Sequence, residues 1–443
     1  MDFENFDPAA LPITIAPIYS HSEPNSSIPL REGDLELDLN GVICRCQGKI
    51  ELQFLPQPRT AVELTSRDRI THGVIAIPKL IIPDSPEPAQ IEITGSGSQK
   101  LADKTWERFA SGTVRTHIRR RSACGISFIV AAIPNFPSVG RKYVRDDTGD
   151  YYWPGRSECI NDQWKITIDR LRLGRDFGQT LKSAAGYGIT HVCRIEKADQ
   201  TDIDVDAALD IVAALRSFLS FVRGAWTMPM LPVGFDRESN RVWELWNAPI
   251  VDPMRHVRTW HMPLDDPLPA TFSGFMDKWV SEIWNEPIRL AIHWYVEANK
   301  KAGGIEGSLI LLQSAFELLS WTYLVAERRI LSADAFQPGK LSGADKLRLL
   351  LSGFDISLKI PESLERLTQL APDLKWVDGP HALVDLRNAI VHAEPKKREK
   401  LSIVGDAIDE AWLLSTSYLE TIILKLVKHK GSALDRIHSW TSV

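Results

Sequence analysis

The stretch HALVDLRNAIVHAEPKKREK, residues 381–400, reads as an amphipathic helix that stops near a proline, and it sets an arginine, an amide and a histidine close together. On a helix each residue turns about 100°. Leu383, Leu386 and Ile390 then form one apolar stripe, whereas Asp385, Asn388 and His392 share the opposite face. Arg387 stands about 140° around from His392 on one straight helix. Pro395 disfavours the α conformation at Glu394, so His392 is expected in the last helical turn. A histidine there that can exchange a proton near neutral pH is a candidate acid–base group. The basic run Lys396, Lys397 and Arg398 follows directly. The spacing Arg-x4-His is common by itself. Arg67 and His72 repeat it within RDRITHGVIAIP, a stretch that reads as strand and turn, and that second match is taken as fortuitous.

The chain of 443 residues is long enough for two or three domains with sizeable cores. Lys and Arg total 52 against 57 Asp and Glu, so a uniformly basic nucleic-acid binder is excluded and any such contact must come from local patches. The five cysteines, an odd number without mini-protein spacing, point to reduced thiols and an intracellular protein. The first residues, MDFENFDPAALPITIAP, are acidic where a signal peptide would be basic. Ser308 to Ala326 is the most apolar long run, but Gln313 and Glu317 inside it favour a buried helix over a membrane span. The expectation is a soluble, cytoplasmic protein with no membrane contact.

Residues 1–30 read as an irregular arm and 31–265 as a β-rich domain, sandwich-like or a curved sheet. Strand patterns appear at Glu36–Cys46, Lys49–Leu55, Ala61–Thr65, Gly73–Ile82, Gln90–Thr94, Thr113–Ile118, Gly125–Ala131, Lys165–Leu171 and Thr190–Ile195. Ile203–Arg223 reads as a helix within this part, followed by a Trp-rich segment holding Trp226, Trp243, Trp246 and Trp260. Pro263, Pro267 and Pro269 place a boundary near 265–272. Beyond it, Gly274–Lys300, Ile305–Arg329, Ala344–Leu351, Pro361–Leu370, Pro380–Glu394 and Ser402–His429 all carry helical periodicity, which makes residues 271–430 an all-α bundle. Residues 431–443 read as a loosely attached tail. The predicted class is therefore multidomain α+β.

In its helical setting, the cluster of Arg387, Asn388 and His392 resembles the signature of the HEPN domain, an all-α family of nucleotide-binding proteins and ribonucleases. Residues 294–324, WYVEANKK…IEGSLILLQSAFELLSWTYL, resemble the paired first helices of larger HEPN proteins, with Glu317 and Trp321 in family-like positions. A β-rich part ahead of such a domain is similar in layout to the ApeA-type anti-phage proteins. The resemblance implies metal-independent RNA cleavage, without a cofactor, that leaves 2′,3′-cyclic phosphate ends. It also implies a homodimer through the helical domain whose Arg and His side chains line a shared cleft. RNA, with tRNA as one candidate, would be the substrate; anti-phage or abortive-infection defence the purpose; and a phage-derived molecule sensed by the β-rich domain the trigger. The alternative is a non-catalytic module of the same helical fold that dimerises or binds nucleotide or RNA.

The residue types suit that chemistry. His392 can move a proton at the 2′-oxygen or the leaving 5′-oxygen, and the planar fork of Arg387 can neutralise a phosphorane. Asn388 can orient the imidazole or bind a phosphate or ribose oxygen. Glu317 and Asp385 are further candidates, Glu317 either in the cleft or in a structural hydrogen bond, since a buried carboxylate needs a partner. Lys396, Lys397 and Arg398 would steer RNA unless they are an ordinary solvated face. In the β-rich part, strand alternation would set Arg115, His117, Arg119 and Arg121 on one face, an anion surface or again a solvated one. Cys44 and Cys46 are expected as buried thiols rather than zinc ligands, and neither they nor His256 and His261 have metal-ligand spacing. The Trp-rich segment is expected to be aromatic core rather than a base-stacking platform.

Overall fold

The computed structural model describes residues 12–19, 21–66, 78–83, 85, 87–100, 106–120, 125–137, 140, 142–146, 149–153, 155–261, 266–301, 303–392 and 394–437. Only the backbone is described at 106, 116, 118–120, 142–146, 149–153, 175, 396–398 and 400. The protein is α+β, with antiparallel sheets in its N-terminal half and helices in its C-terminal half. It divides into two compact units, Met1–Leu215 with Thr227–Arg255, and Arg216–Trp226 with His256–Val443.

The first unit carries strands β1 (Ile28–Leu39), β2 (Val42–Gln53), β3 (Arg59–Ser66), β4 (Lys79–Ile81), β5 (Ala89–Lys100), β6 (Trp106–Arg120) and β7 (Phe128–Pro134). Then come β8 (Lys142–Asp146), β9 (Gly149–Trp153), β10 (Arg156–Ile160), β11 (Trp164–Arg170), helix α1 (Arg175–Ser183) and β12 (Ile189–Lys197). Helix α2 (Val205–Arg223), whose second half falls in the other unit, precedes β13 (Met230–Phe235) and β14 (Arg241–Asn247). The pairing order β1, β2, β3, β6, β5, β4 returns to β1, so these six strands close on themselves as an antiparallel barrel. The expected sandwich or curved sheet is thus a closed ring with an open sheet attached. Beyond the ring β6 pairs with β14, and β13, β7, β12, β11 and β10 continue the sheet.

Local chemistry explains the closure. Asn40 and Gly41, both at positive φ, form the tight turn between β1 and β2, the conformation a two-residue hairpin needs. Alternate residues Leu35, Leu37, Cys44, Cys46, Ile50 and Leu52 point into the barrel core with Phe54, so the two thiols are buried as expected. Gly112 lets β5 approach: a Cβ there would stand 2.6 Å from the Glu92 carbonyl oxygen. The irregular arm is held by polar contacts. Arg156 forks Asp169 through two 2.7 Å bonds, while Asp169 accepts the Ile15 amide and Arg156 donates to the Ile13 carbonyl. The segment 73–77 expected as strand, the pair Arg67 and His72, and Arg121 lie outside the described residues.

The second unit is helical: α3 (Pro267–Trp279), α4 (Asn285–Asn299), α5 (Gly304–Trp321) with a π-helical turn Thr322–Glu327, and α6 (Gly343–Gly353). It continues with α7 (Glu365–Leu374), α8 (Gly379–Val391), α9 (Pro395–Val404) and α10 (Ala407–Leu426). Helix α5 is the central element and packs against α4, α6, α8 and α10. Among the described residues it is the one helix long and apolar enough to cross a membrane, yet 56% of its apolar window is buried. Two predicted helices are each two. The first breaks ahead of α4 because Pro287, in its first turn, lacks an amide and cannot sit inside a continuous helix. The second breaks at Gly405, whose φ of 48° ends α9. Pro267 and Pro269, read as linker, instead start α3, where a missing amide costs nothing.

The described part of the segment read as a loose tail, residues 431–437, is anchored. Arg436 forks Glu420 of α10 at 2.7 and 2.8 Å, and both side chains are almost wholly buried. The Tyr295 hydroxyl also donates to Glu420, while Arg436 reaches the Asn299 side chain and the Arg258 carbonyl. Burial alone would lower the Arg436 pKa, but Glu420 and Tyr295 outweigh it and hold the guanidinium above its ordinary value. Breaking a buried pair leaves one charge uncompensated and typically costs about 3–5 kcal/mol. Arg436→Ala is therefore expected to lower the stability of the helical unit by about that amount, read from denaturant unfolding. A midpoint shift equivalent to under about 1 kcal/mol would show the pair to be dispensable.

Candidate functional site

Helix α8 begins where the sequence Asp-Gly-Pro-His offers a cap and a proline. The Asp378 side chain accepts the His381 amide at 2.8 Å, and Pro380 occupies the first turn. Arg348 of α6 forks the same carboxylate at 2.6 and 3.0 Å, and that contact holds the Arg348 pKa above its ordinary value. Ala382, Leu383, Leu386 and Ala389 bury the inner face, a stripe one position different from the expected Leu383, Leu386 and Ile390.

At the other end the helix stops at Val391, three residues before the expected end at Glu394. His392 is the C-terminal cap: its amide still bonds the Asn388 carbonyl at 3.1 Å, but its φ of −95° and ψ of 131° are extended. Pro395 then opens α9, so the basic run lies on a new helix, and the side chains of Lys396, Lys397 and Arg398 lie outside what is described. The angle of about 140° between Arg387 and His392 assumed one straight helix. Since His392 has left it, that angle does not hold.

Arg387 and Asn388 are brought together. Both are half-buried, and Nη1 of Arg387 donates to Oδ1 of Asn388 at 3.3 Å. The arginine Nε is shielded from solvent and has no hydrogen-bond partner among the described residues, and no carboxylate faces the guanidinium there. His392 is exposed, and its imidazole makes no side-chain hydrogen bond among the described residues. The two acidic candidates have structural partners. Asp385 accepts the Trp376 indole N–H at 2.9 Å, and Glu317 pairs with Lys346 at 3.1 Å. Lys346 is itself 9% exposed and lies over the Phe336 ring. This is the structural hydrogen bond to a neighbouring helix left open for Glu317.

The expected basic face on β6 does not form as alternation predicts. Val114 pairs with Ile91 and Thr116 with Gln90, so Arg115 is an extra residue, a bulge that inverts the alternation after it. Arg115 is exposed and paired with Glu92, whereas His117 is buried against Trp246. The side chain of Arg119 is not described. Trp243, Trp246, Trp260, Trp279 and Trp284 are all buried, which removes them as a base-stacking platform. Among the described residues no group of three or more His, Cys, Asp or Glu is placed to hold a metal. The residues that sequence pattern did not single out are Arg348 and Asp378, although an aspartate directly before Gly-Pro is a legible cap signal.

Comparison with known proteins now adds a family context. Residues 122–257 match the family model of the YopA central domain, and residues 281–443 match that of the YopA C-terminal domain. The SPbeta prophage-derived uncharacterized protein YopA of Bacillus subtilis (strain 168) is 24% identical over 425 residues, covering 93% of this chain and 92% of the relative. No solved structure matches.

Asp378 both caps α8 and neutralises Arg348, so Asp378→Ala is expected to loosen this helix by about 1–2 kcal/mol. Amide exchange in α8 should rise ahead of that in α5. Unchanged exchange there would mean that the apolar stripe alone holds the helix.

Proposed function

We propose that the chain is a metal-independent RNA endonuclease of the HEPN type, acting in the cytoplasm in anti-phage or abortive-infection defence. The observation that carries this reading is Arg387, a half-buried guanidinium with one shielded N–H unmatched and only Asn388 as a partner among the described residues. A cation left without a carboxylate in such a place is costly unless an anion completes it. The neighbouring Asp385 is engaged by Trp376. A phosphodiester is the anion that the adjacent exposed His392 could also act upon.

The 2′-hydroxyl of RNA attacks the adjacent phosphorus, and its proton passes to a base. The P–O5′ bond breaks, and the leaving oxygen takes a proton from an acid. The products are a 2′,3′-cyclic phosphate and a 5′-hydroxyl. His392 serves at one of these proton transfers, Arg387 neutralises the phosphorane and Asn388 fixes a phosphate or ribose oxygen. A homodimer through the helical unit would bring Arg387 of one chain to His392 of the other in each of two equivalent sites. The prophage origin in the relative's name supports placing the purpose in phage biology. The β-rich unit is then the element that meets a phage-derived trigger.

Loss of a general acid–base group lowers rates typically about 10²–10⁴-fold. His392→Ala should lose activity on total tRNA to that degree, yet keep its stability within about 0.5 kcal/mol, because the side chain is exposed. Cleavage should persist in chelator and leave cyclic phosphate ends. Wild-type cutting by the variant, or activity that magnesium restores after chelation, would sink the mechanism.

The dimer has its own test. If each site takes Arg387 from one chain and His392 from the other, mixing inactive Arg387→Ala and His392→Ala proteins should restore roughly a quarter of wild-type activity, since about half the dimers are hybrids with one intact site. A silent mixture with proven subunit exchange would place both residues of a site in one chain.

The exposed imidazole, which nothing described orients, favours a second reading, a module that binds RNA or nucleotide without hydrolysis. There His392→Ala would weaken RNA binding while neither protein cuts.

A further inference from the structure

One polar side chain in the apolar run of α5 has no role in the site described so far. Gln313 is only 7% exposed, yet its amide makes no hydrogen bond among the described residues. An unpaired amide inside a protein is destabilising, and a ligand that pairs with it removes the cost. The amide reaches toward Gly343, the first residue of α6. A Cβ on that glycine would stand 3.7 Å from Gln313 Nε2, 3.3 Å from Glu317 Oε1 and 3.4 Å from Val384 Cγ1. The missing side chain leaves a gap where an amide, a carboxylate oxygen and an apolar wall from α8 converge.

The groups around this gap are complementary in kind. Lys346 holds Oε2 of Glu317 at 3.1 Å, which leaves Oε1 as a charged acceptor with no donor among the described residues. Gln313 brings N–H donors. The Gly343 and Ala344 amides, ahead of the Asp345 amide that Ser342 caps, have no acceptor inside their own helix. Gln313, Glu317 and Trp321 follow one another at four-residue spacing, so they line one stripe of α5. Trp321 is 38% exposed, and its edge-to-face contact with Phe336 leaves at least one indole face uncovered by that ring.

We propose that Gln313, Glu317 and the gap at Gly343 form a subsite for a guanine base, with Trp321 as its stacking surface. A planar ligand that stacks on an indole and offers donors beside an acceptor is a nucleobase. Guanine sets two N–H donors, at N1 and N2, next to the O6 acceptor. Its donors meet the Glu317 carboxylate, and O6 takes an N–H of Gln313. Adenine and cytosine would set a ring-nitrogen lone pair against the carboxylate, and uracil a carbonyl on either side of its one N–H. Arg387 leaves α8 three residues after Val384, about 4.5 Å further along the axis. A base seated in the gap therefore brings its own phosphate toward that arginine. The base belongs either to RNA or to a free guanine nucleotide. The RNA case rests on the ribonuclease reading above, whereas recognition of the base does not.

The test titrates guanosine 5′-monophosphate into the full-length protein by calorimetry, with adenosine 5′-monophosphate as comparison. Saturable binding is expected, about tenfold or more tighter for the guanine nucleotide, as a matched set of base contacts gives. Gly343→Ala adds one methyl group to the gap with contacts of 3.3 Å and longer, so it should fold and melt as the parent does. It should bind the guanine nucleotide about tenfold or more weakly, and Gln313→Met should do the same. A merely structural glutamine would shift the melting temperature and leave the preference for guanine intact. A mixed-sequence single-stranded RNA given to the same proteins separates the sources. Cuts biased to one side of guanosine, with the bias lost in Gly343→Ala, assign the base to RNA. Nucleotide binding without such a bias assigns it to the free nucleotide, and binding by a protein that cuts no RNA keeps this site while removing the ribonuclease reading. Absence of saturable binding, equal affinity for the two nucleotides, or equal binding by Gly343→Ala and its parent overturns the proposal. RNA cutting in any of those cases leaves the ribonuclease reading standing.

Discussion

A buried guanidinium–carboxylate pair is the constraint on which the helical unit most depends. Glu420 lies in the second half of α10, among the buried Leu419, Ile422 and Ile423 of the same helix. A lone carboxylate there would be untenable, because transfer of a charge from water to an apolar interior is among the largest single penalties in folding. Arg436 and the Tyr295 hydroxyl supply its three contacts, and they come from beyond α10 and from α4. Once Arg436 is seated it also takes the Asn299 side chain and the Arg258 carbonyl, and Asn299 in turn bonds the Gly224 carbonyl. Satisfying one acid thereby fixes the C-terminal segment, the end of α4 and the connection ahead of α3. Isolated helices would otherwise be free to slide along their apolar stripes.

The same logic explains α8. Its apolar stripe sets depth and rotation, but not its position along the axis. The Asp378 cap and the Arg348 fork fix that coordinate, and the Trp376 indole on Asp385 fixes it again one turn along. Arg387 and Asn388 are presented by a helix held at its start by charge and along its length by packing. His392 is different in kind. It sits after the last helical residue, on extended backbone between two helices, so its direction is set by the short connection to Pro395 and not by helical phase.

How much of this the sequence carried follows from the range of the forces involved. Helices α5, α6 and α8 were legible because their apolar periodicity is a local consequence of burial on one side. Breaks were less legible: Pro287 gives one away, whereas Gly405 lies inside an unbroken apolar period. Strand β14 was hidden, since Trp243 and Trp246 read as an aromatic segment when pairing with β13 and β6 makes them strand. The bulge at Arg115 reverses which side chains face inward, and it is created by the partner strand β5, so no property of β6 alone announces it. Closure of the barrel is of the same kind. At the site, Arg387, Asn388 and His392 could be named from spacing, but not the turn of His392 out of the helix. The tail misled because one arginine among polar residues carries no pattern, while its partner is fixed only by the tertiary fold.

Some arginines face an acid, others, such as Arg59 and Arg223, a neutral oxygen, and a third group keeps an unmet donor, a distinction that says more than burial does. Arg156, Arg348 and Arg436 each face a carboxylate at hydrogen-bond distance, with geometry that satisfies two donors at once. Their charge is consumed in holding the arm, α8 and the C-terminal segment. Arg387 and Arg216 are desolvated to an intermediate degree, each with a shielded Nε that meets no acceptor among the described residues. A structural arginine is stabilised by what it already touches. An arginine that lacks an acid yet stays partly out of water carries a standing electrostatic cost, and an anion from outside is the most direct way to remove it. By that criterion Arg387 would be selected even without its histidine neighbour, and Glu317 and Asp385, whose partners are already in place, would not.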